Sequence, residues 1–111
     1  MKTLSLIKRR PDLDRPAFRD YYETRHAPLA LTFMTGLERY VRYHVDEDLF
    51  GEVHFDVLSL FHYKDAGSIA AMMAVLESEE GKRLLEDELE FMDKPANTFF
   101  PVSDRVLCAG D

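Results

Sequence analysis

The chain has 111 residues, 46% hydrophobic and 32% charged, a globular composition with room for one domain over residues 1–111. The net charge of −7 gives no support to phosphate-backbone binding, so no nucleic-acid partner is expected; no apolar run approaches the roughly 20 residues that span a bilayer, so no membrane partner is expected either. Cys108 is the sole cysteine, which excludes an internal disulfide and suits a reducing cytoplasm, and Met1 to Arg10 lacks the apolar run and cleavage site of a secretory signal.

Thr3 to Arg9 alternates around Leu4, Leu6 and Ile7 and predicts a first strand. Pro11, Asp12 and Asp14 make a turn; Asp14 suits a helix N-cap, and Pro16 falls in the first helical turn, where its missing N–H costs little. Phe18, Tyr22, Leu29 and Phe33 then form one stripe of an amphipathic helix. Pro28 predicts a kink or a second segment starting near His26, and Gly36 ends the region. Leu37 to Val45 reads as a second strand, with Leu37, Val41, Tyr43 and Val45 on one face and Tyr40 and His44 on the other.

After a loop around Gly51, Val53 to Tyr63 reads as a long third strand. Val53, Phe55, Val57, Phe61 and Tyr63 face one way; His54, Asp56, Leu58, Leu60 and His62 face the other. Asp65 caps a helix over Ala66 to Leu76, Ser78 and Gly81 interrupt it, and Lys82 to Met92 continues it. Pro95 and Asn97 break that helix, and Thr98 to Leu107 reads as the last strand.

This β-α-β-β-α-β order predicts the α+β ferredoxin-like fold, a four-stranded antiparallel sheet with its helices on one face. The third strand carries apolar side chains on both faces, so the face away from the helices needs a cover. A second copy of the same sheet is the simplest one, which makes a homodimer the expected assembly.

The densest local pattern runs from Phe18 to Leu29. His26 falls eight residues after Phe18, close to the apolar stripe and next to the break at Pro28. It reads either as a catalytic general acid/base or substrate ligand facing a cavity, or as a cap on free carbonyls at a helix C-terminus, where the dipole favours imidazolium. His54-x-Asp56 sets an imidazole and a carboxylate roughly 6.6 Å apart on one strand face. Asp56, beside Leu58 and Leu60, needs a partner if buried; it either orients a catalytic base or accepts structural hydrogen bonds. His62 lies roughly 26 Å along the strand from His54, so the two cannot share an ion, and the chain has no Cys-x-x-Cys or His-Glu-x-x-His spacing. Neither a metal nor a cofactor is expected.

Tyr22, Tyr40, Tyr43 and Phe55 are candidate aromatic walls, and Met72 and Met73 either core or adaptable pocket lining. Glu77 to Asp93 holds eight acids and two bases, most of it a solvated helix face, although Asp87 and Glu88 precede Phe91 and Met92, which must turn inward. Lys8, Arg9 and Arg10 are expected to pair with this acidic helix. No Gly-rich phosphate loop is present, and Cys108 has no base nearby in sequence to activate it.

Four stretches resemble the EthD-domain family of the dimeric α/β-barrel superfamily: Arg10-Pro11-Asp12-Leu13 leading to Phe18; Tyr21-Tyr22 through His26-Ala27-Pro28-Leu29; Tyr40-Val41 followed by Phe55-Asp56; and Asp87-Glu88-Leu89-Glu90-Phe91-Met92-Asp93. They occur in the family's order over nearly the whole chain, and the His-Ala-Pro-Leu block is the most specific. The resemblance implies a dimeric barrel with a small-molecule cavity between helices and sheet in each subunit. The family takes its name from a component linked to bacterial ethyl tert-butyl ether degradation. Relatives include fungal enzymes that dehydrate or decarboxylate aromatic polyketides, and the superfamily includes cofactor-independent monooxygenases, polyketide cyclases and haem-degrading proteins.

Carried onto this chain, the matching positions are His26, Asp56, Asp87 and Glu88, with Tyr22 and Tyr40 as pocket wall; Tyr22 stands where many members place tryptophan. The expected catalytic set is His26, Asp56 and Asp87, and the expected substrate-binding set Tyr22, Tyr40, His54 and Glu88. Two functions follow as expectations. One is an enzyme, oxidoreductase-associated or a cofactor-independent lyase or cyclase, acting on a small hydrophobic or aromatic polyketide-like compound. The other is a non-catalytic ligand-binding or accessory protein that supports an oxygenase.

Overall fold

A computed structural model describes residues 1–108 and 110. Four strands, β1 (Lys2–Ile7), β2 (Leu37–His44), β3 (Val57–Tyr63) and β4 (Thr98–Val102), form one sheet in the order β2-β3-β1-β4 with every pair antiparallel. This is the ferredoxin-like arrangement, in which each βαβ unit is split by a strand of the other.

One face of the sheet receives the helices. Thr3 and Ile7 of β1, and Val57, Ser59, Phe61 and Tyr63 of β3, point into it and are buried, apart from the shorter Ser5. The other face carries Leu4 and Leu6 of β1, Val41 and Tyr43 of β2, Leu58 and Leu60 of β3 and Phe100 of β4, all half-buried or exposed. Period-two alternation therefore holds along β3, with an apolar set on each side.

β2 departs from the alternation in one place. Its pairing with β3 shifts between Leu37 and Arg39, so Leu37 opposes Tyr63 and packs with the helix-side core, while Val41 and Tyr43 face away. The bulge, not the periodicity, moves Leu37 to the opposite side from the one its spacing suggests. The third strand is shorter than expected: Val53 to Asp56 lies outside it. Asp56 N–H donates to Ile7 O, and its carbonyl accepts from Val45 N–H, but earlier residues find no ladder partner. The last strand also stops early, at Val102, because its register on β1 ends at the Lys2–Val102 pair. Pro101 is tolerated because β4 is an edge strand.

Asp14 caps α1 (Arg15–Tyr21) by accepting from Ala17 N–H, as its sequence context suggests. A π-helical turn over Tyr22–His26 follows without a break, then α2 (Ala27–Phe33) with Pro28 in its first turn. The second segment thus begins at Ala27, whose N–H reaches Tyr22 O five residues back. Pro28 lacks an N–H and its ring crowds the carbonyl four residues earlier, and the wider π turn relieves that clash. His26 consequently sits inside a continuous helical rod rather than at a helix end, which removes the C-terminal dipole argument and the capping alternative.

Gly36 closes α2 onto β2 at φ 80°, where an added Cβ would collide with Ser68 Oγ. Asp65 caps α3 (Ala66–Glu77) through Ser68 N–H, and α4 (Lys82–Leu89) follows a short turn, ending before Phe91 and Met92 drop into the core. Two apolar clusters fill the space beneath the helices. Ile7, Phe18, Tyr22, Ala27, Val57, Phe91 and Met92 form one; Phe61, Tyr63 and Met72 form the other; Tyr40 packs against both. Among the described residues, no helix is long and apolar enough to cross a membrane.

Candidate functional site

A cavity of about 280 Å³ opens where the two clusters meet. Its floor is the helix side of the sheet, with Ser5, Ile7, Tyr40, Phe61 and Tyr63. Its roof is Tyr22 and His26 from the π turn, Met34 at the end of α2, Met72, Met73 and Leu76 from α3, and Leu84 and Glu88 from α4. Met34, Met72, Met73 and Met92 all line it, so four of the chain's five methionines meet here. Unbranched, polarisable side chains of this kind adapt to ligands of different outline.

His26, at the end of the π turn, points inward on the same face as Tyr22. Its ring packs edge-on to Tyr22, centroids 5.4 Å apart, and 4.9 Å from Phe91, and the residue is 4% exposed. Nδ1 lies 2.9 Å from Asp87 Oδ2. The carboxylate accepts, so Nδ1 carries a proton, and in the neutral imidazole the lone pair is then at Nε2. Nε2 has no hydrogen-bond partner among the described residues and is not sealed from the cavity. Asp87 accepts a second bond, 2.6 Å, from Tyr21 Oη, and burial followed by that bond pushes the Tyr21 phenol up to about 12. On its far side Asp87 lines an open surface depression with Leu29, Arg83, Glu86 and Glu90. The carboxylate therefore joins a buried imidazole to a wet acidic surface.

Glu88, one residue on, lines the cavity and pairs with Lys94 at 2.8 Å. Tyr22 and Tyr40 share a hydrogen bond through their hydroxyls, and Tyr22 Oη is 2.7 Å from Ser59 Oγ. Burial raises the pKa of both phenols, that of Tyr40 well above 10, so both stay protonated.

The remaining expected site residues fall elsewhere. Asp56 is buried but stands apart from the cavity: it accepts from Arg9 N–H and from the Arg9 and Arg15 guanidinium groups at 2.9, 3.2 and 3.1 Å. Burial pushes its carboxyl up, but the Arg9 N–H and Arg15 outweigh that and hold it below the usual range. His26 and Asp56 are not brought together; the carboxylate beside the imidazole is Asp87. His54 is exposed in the loop before β3, 4.0 Å from Glu52, and shares no face with Asp56 because that segment is not a strand. Tyr43 is exposed on the far face of the sheet. Arg9 pairs with Asp56 and Arg10 with Asp12; the basic segment meets the end of the acidic run through backbone groups, Lys8 O accepting from Asp93 N–H and Arg10 reaching the carbonyls of Leu89 and Glu90, and among the described residues its side chains do not pair with the acidic ones there.

Several contacts at the site had no reading from sequence. Tyr21 and Lys94 carry no signal in the pattern. Ser59 does: it is a hydroxyl at an inward position between Val57 and Phe61, and a polar group in an apolar register needs a partner. A neighbouring cluster joins Glu23 of the π turn to Arg42, through two bonds of 2.6 and 3.0 Å, and to His44 at 2.9 Å. Among the described residues, no three His, Cys, Asp or Glu side chains gather as a metal site would require.

Comparison with known proteins bears on the family and the fold. A family model described as the EthD domain matches residues 10–95. A search of curated proteins finds no match. Among solved structures, an ethyl tert-butyl ether D (EthD) family protein from Bacillus halodurans C-125 superposes with a TM-score of 0.68 at 25% identity, covering 94% of this chain and 97% of that one. A putative antibiotic biosynthesis monooxygenase from Bacteroides thetaiotaomicron gives 0.61 at 16% identity, covering 96% and 90%. A protein of unknown function from Bacteroides fragilis, described as dimeric and of ferredoxin-like fold, gives 0.59 at 10% identity, covering 88% and 89%.

Proposed function

Because the chain belongs to the EthD family, we propose that its cavity takes a small hydrophobic or aromatic, polyketide-like compound and that His26 exchanges a proton with it through Nε2. The observation that carries this reading is the 2.9 Å bond from Nδ1 to Asp87, which leaves Nε2 bare at the cavity wall. A lone pair so oriented acts as general base, and the imidazolium it forms is stabilised by the carboxylate behind it and then acts as acid. Asp87 is a positioning residue, held in turn by Tyr21. Tyr22 and Tyr40 shape the wall, and the Glu88–Lys94 pair adds the charged part of the lining. The step is acid/base chemistry of the kind that dehydration or cyclisation uses. Asp56 serves the fold on this reading, anchoring Arg9 and Arg15.

The assembly belongs to the same proposal. The apolar face of Leu4, Leu6, Val41, Leu58, Leu60 and Phe100 has no cover among the described residues, and a second copy laid sheet to sheet buries it. The lone Cys108 suits the reducing cytoplasm in which we place the protein.

Long-range proton–nitrogen NMR on His26, with 1-naphthol as probe, tests the site. The expected result is a protonated Nδ1, a bare Nε2, and a change at Nε2 when the naphthol hydroxyl donates to it; Asp87→Asn should disturb the tautomer. An imidazole protonated at Nε2 and indifferent to 1-naphthol would leave the accessory, non-catalytic reading in its place.

A further inference from the structure

Ser59, Tyr22 and Tyr40 form a chain of three hydroxyls with Tyr22 in the middle. Three hydroxyls carry three protons and two bonds use two of them, so one proton is left over. Were Tyr22 to accept from both neighbours, its own proton would be stranded at a residue 1% exposed whose hydroxyl has no further partner among the described residues. Were the chain to run from Tyr40 towards Ser59, that proton would sit on Ser59. Ser59 is 0% exposed, lies between Val57 and Phe61, and has no other side-chain partner among the described residues. An unbonded hydroxyl proton in so apolar a place is costly. In the opposite direction Ser59 donates to Tyr22, Tyr22 donates to Tyr40, and the remaining proton rests on Tyr40, a residue of the cavity lining.

We infer that the Tyr40 hydroxyl is a standing hydrogen-bond donor into the cavity, and that the compound bound there carries a carbonyl oxygen that accepts from it. The inference rests on the cavity being the ligand site proposed above, and it adds the chemical class of the ligand. Packing fixes Tyr40 in place, with its ring stacked on Phe61, centroids 4.7 Å apart, and the Arg42 guanidinium 4.7 Å from its centroid. Burial keeps the phenol protonated, so it donates and does not become a phenolate. A donor fed by two further hydroxyls is stronger than an isolated one such as Ser5. Tyr63, the other tyrosine of the lining, already donates to Met72 Sδ at 3.3 Å.

His26 and Tyr40 both pack against Tyr22. When Nε2 removes a proton from the carbon beside the carbonyl, the C–H electron pair moves onto the oxygen, and the resulting enolate accepts from Tyr40. The proton stays on the imidazolium until it is returned to the carbon framework.

The test compares 1-tetralone with tetralin, which has nearly the same outline and no oxygen. The ketone should bind roughly fivefold more tightly to the wild-type protein, the factor one neutral hydrogen bond supplies, and Tyr40→Phe should abolish the preference. The carbonyl carbon resonance of the bound ketone should lie downfield of its position in hydrocarbon solvent; this reading on the wild-type protein decides the matter even if Tyr40→Phe fails to fold. Equal affinities, an unshifted carbonyl, or a preference that survives in Tyr40→Phe overturns the inference alone. Failure of both probes to bind overturns the cavity reading and this inference with it. The naphthol experiment reads the imidazole and this pair reads the phenol, so the two proposals fail separately.

Discussion

Glu23 sits where two nitrogen-bearing side chains converge. Arg42 holds it from two nitrogens and His44 from a third, and its pKa falls to about 2 from an ordinary 4.5, chiefly through the Arg42 bond and against the opposing effect of burial. A carboxyl with a depressed folded-state pKa stabilises the fold in full above its unfolded value and loses that contribution as pH falls through the folded one. Glu23→Gln should therefore lower the urea midpoint at pH 7 by an amount equivalent to about 1 kcal/mol, reduced by solvent screening at a side chain 33% exposed. The gap between variant and wild type should hold down to about pH 4.5 and close towards pH 2. A gap that persists unchanged at pH 2 would show that packing, not charge, is responsible. The contrast with Asp56 is one of burial: that carboxylate is almost wholly enclosed and its two arginines are partly exposed, so it anchors the chain leaving β1 to the start of α1.

At the scale of elements, the helical rod from Arg15 to Phe33 is the decisive piece. Tyr22 and His26 lie four residues apart and so share one face of the rod, which brings both to the same cavity; the π turn absorbs one residue and resets the face that α2 presents from Ala27 onward. Pro28 is the cause that sequence reveals, and the break it announces is where the second segment begins. The rod's exit is equally constrained. Gly36 combines a positive φ with Ser68 directly behind it, so Gly36→Ala meets both left-handed strain and a side-chain clash. Thermal unfolding should show a loss of about 2 kcal/mol or more. A variant as stable as wild type would mean that the turn from α2 into β2 can move away from α3.

For the whole molecule, the sheet is apolar on both faces while helices cover only one. A sheet-to-sheet homodimer predicts that the wild-type chain sediments at twice its monomer mass, and that Leu60→Asp, which sets a charge in the middle of the uncovered face, yields monomer or aggregate. Burying an unpaired carboxylate there costs several kcal/mol against the dimer. The cavity residues lie on the opposite side of the sheet, so a monomeric but folded Leu60→Asp protein should keep the His26 tautomer. A wild-type monomer would remove the assembly from the proposal.

Composition, turn residues and alternation were enough to determine the order of the elements, the two aspartate caps, the two-sided third strand and the prominence of His26. These are local properties, set by spacing along the chain. The ends of β3 and β4 and the side taken by Leu37 were not, because a strand's limits and bulges depend on the partner beside it. The identity of the carboxylate that meets His26 was likewise decided only in three dimensions. Asp56 and Asp87 are equally plausible on paper, lying 30 and 61 residues from the imidazole. Packing α4 against the π turn brings Asp87 to Nδ1, while the ladder from Ile7 to Asp56 commits the other acid to Arg9 and Arg15. Contacts over such separations depend on how whole elements pack, which residue spacing does not encode.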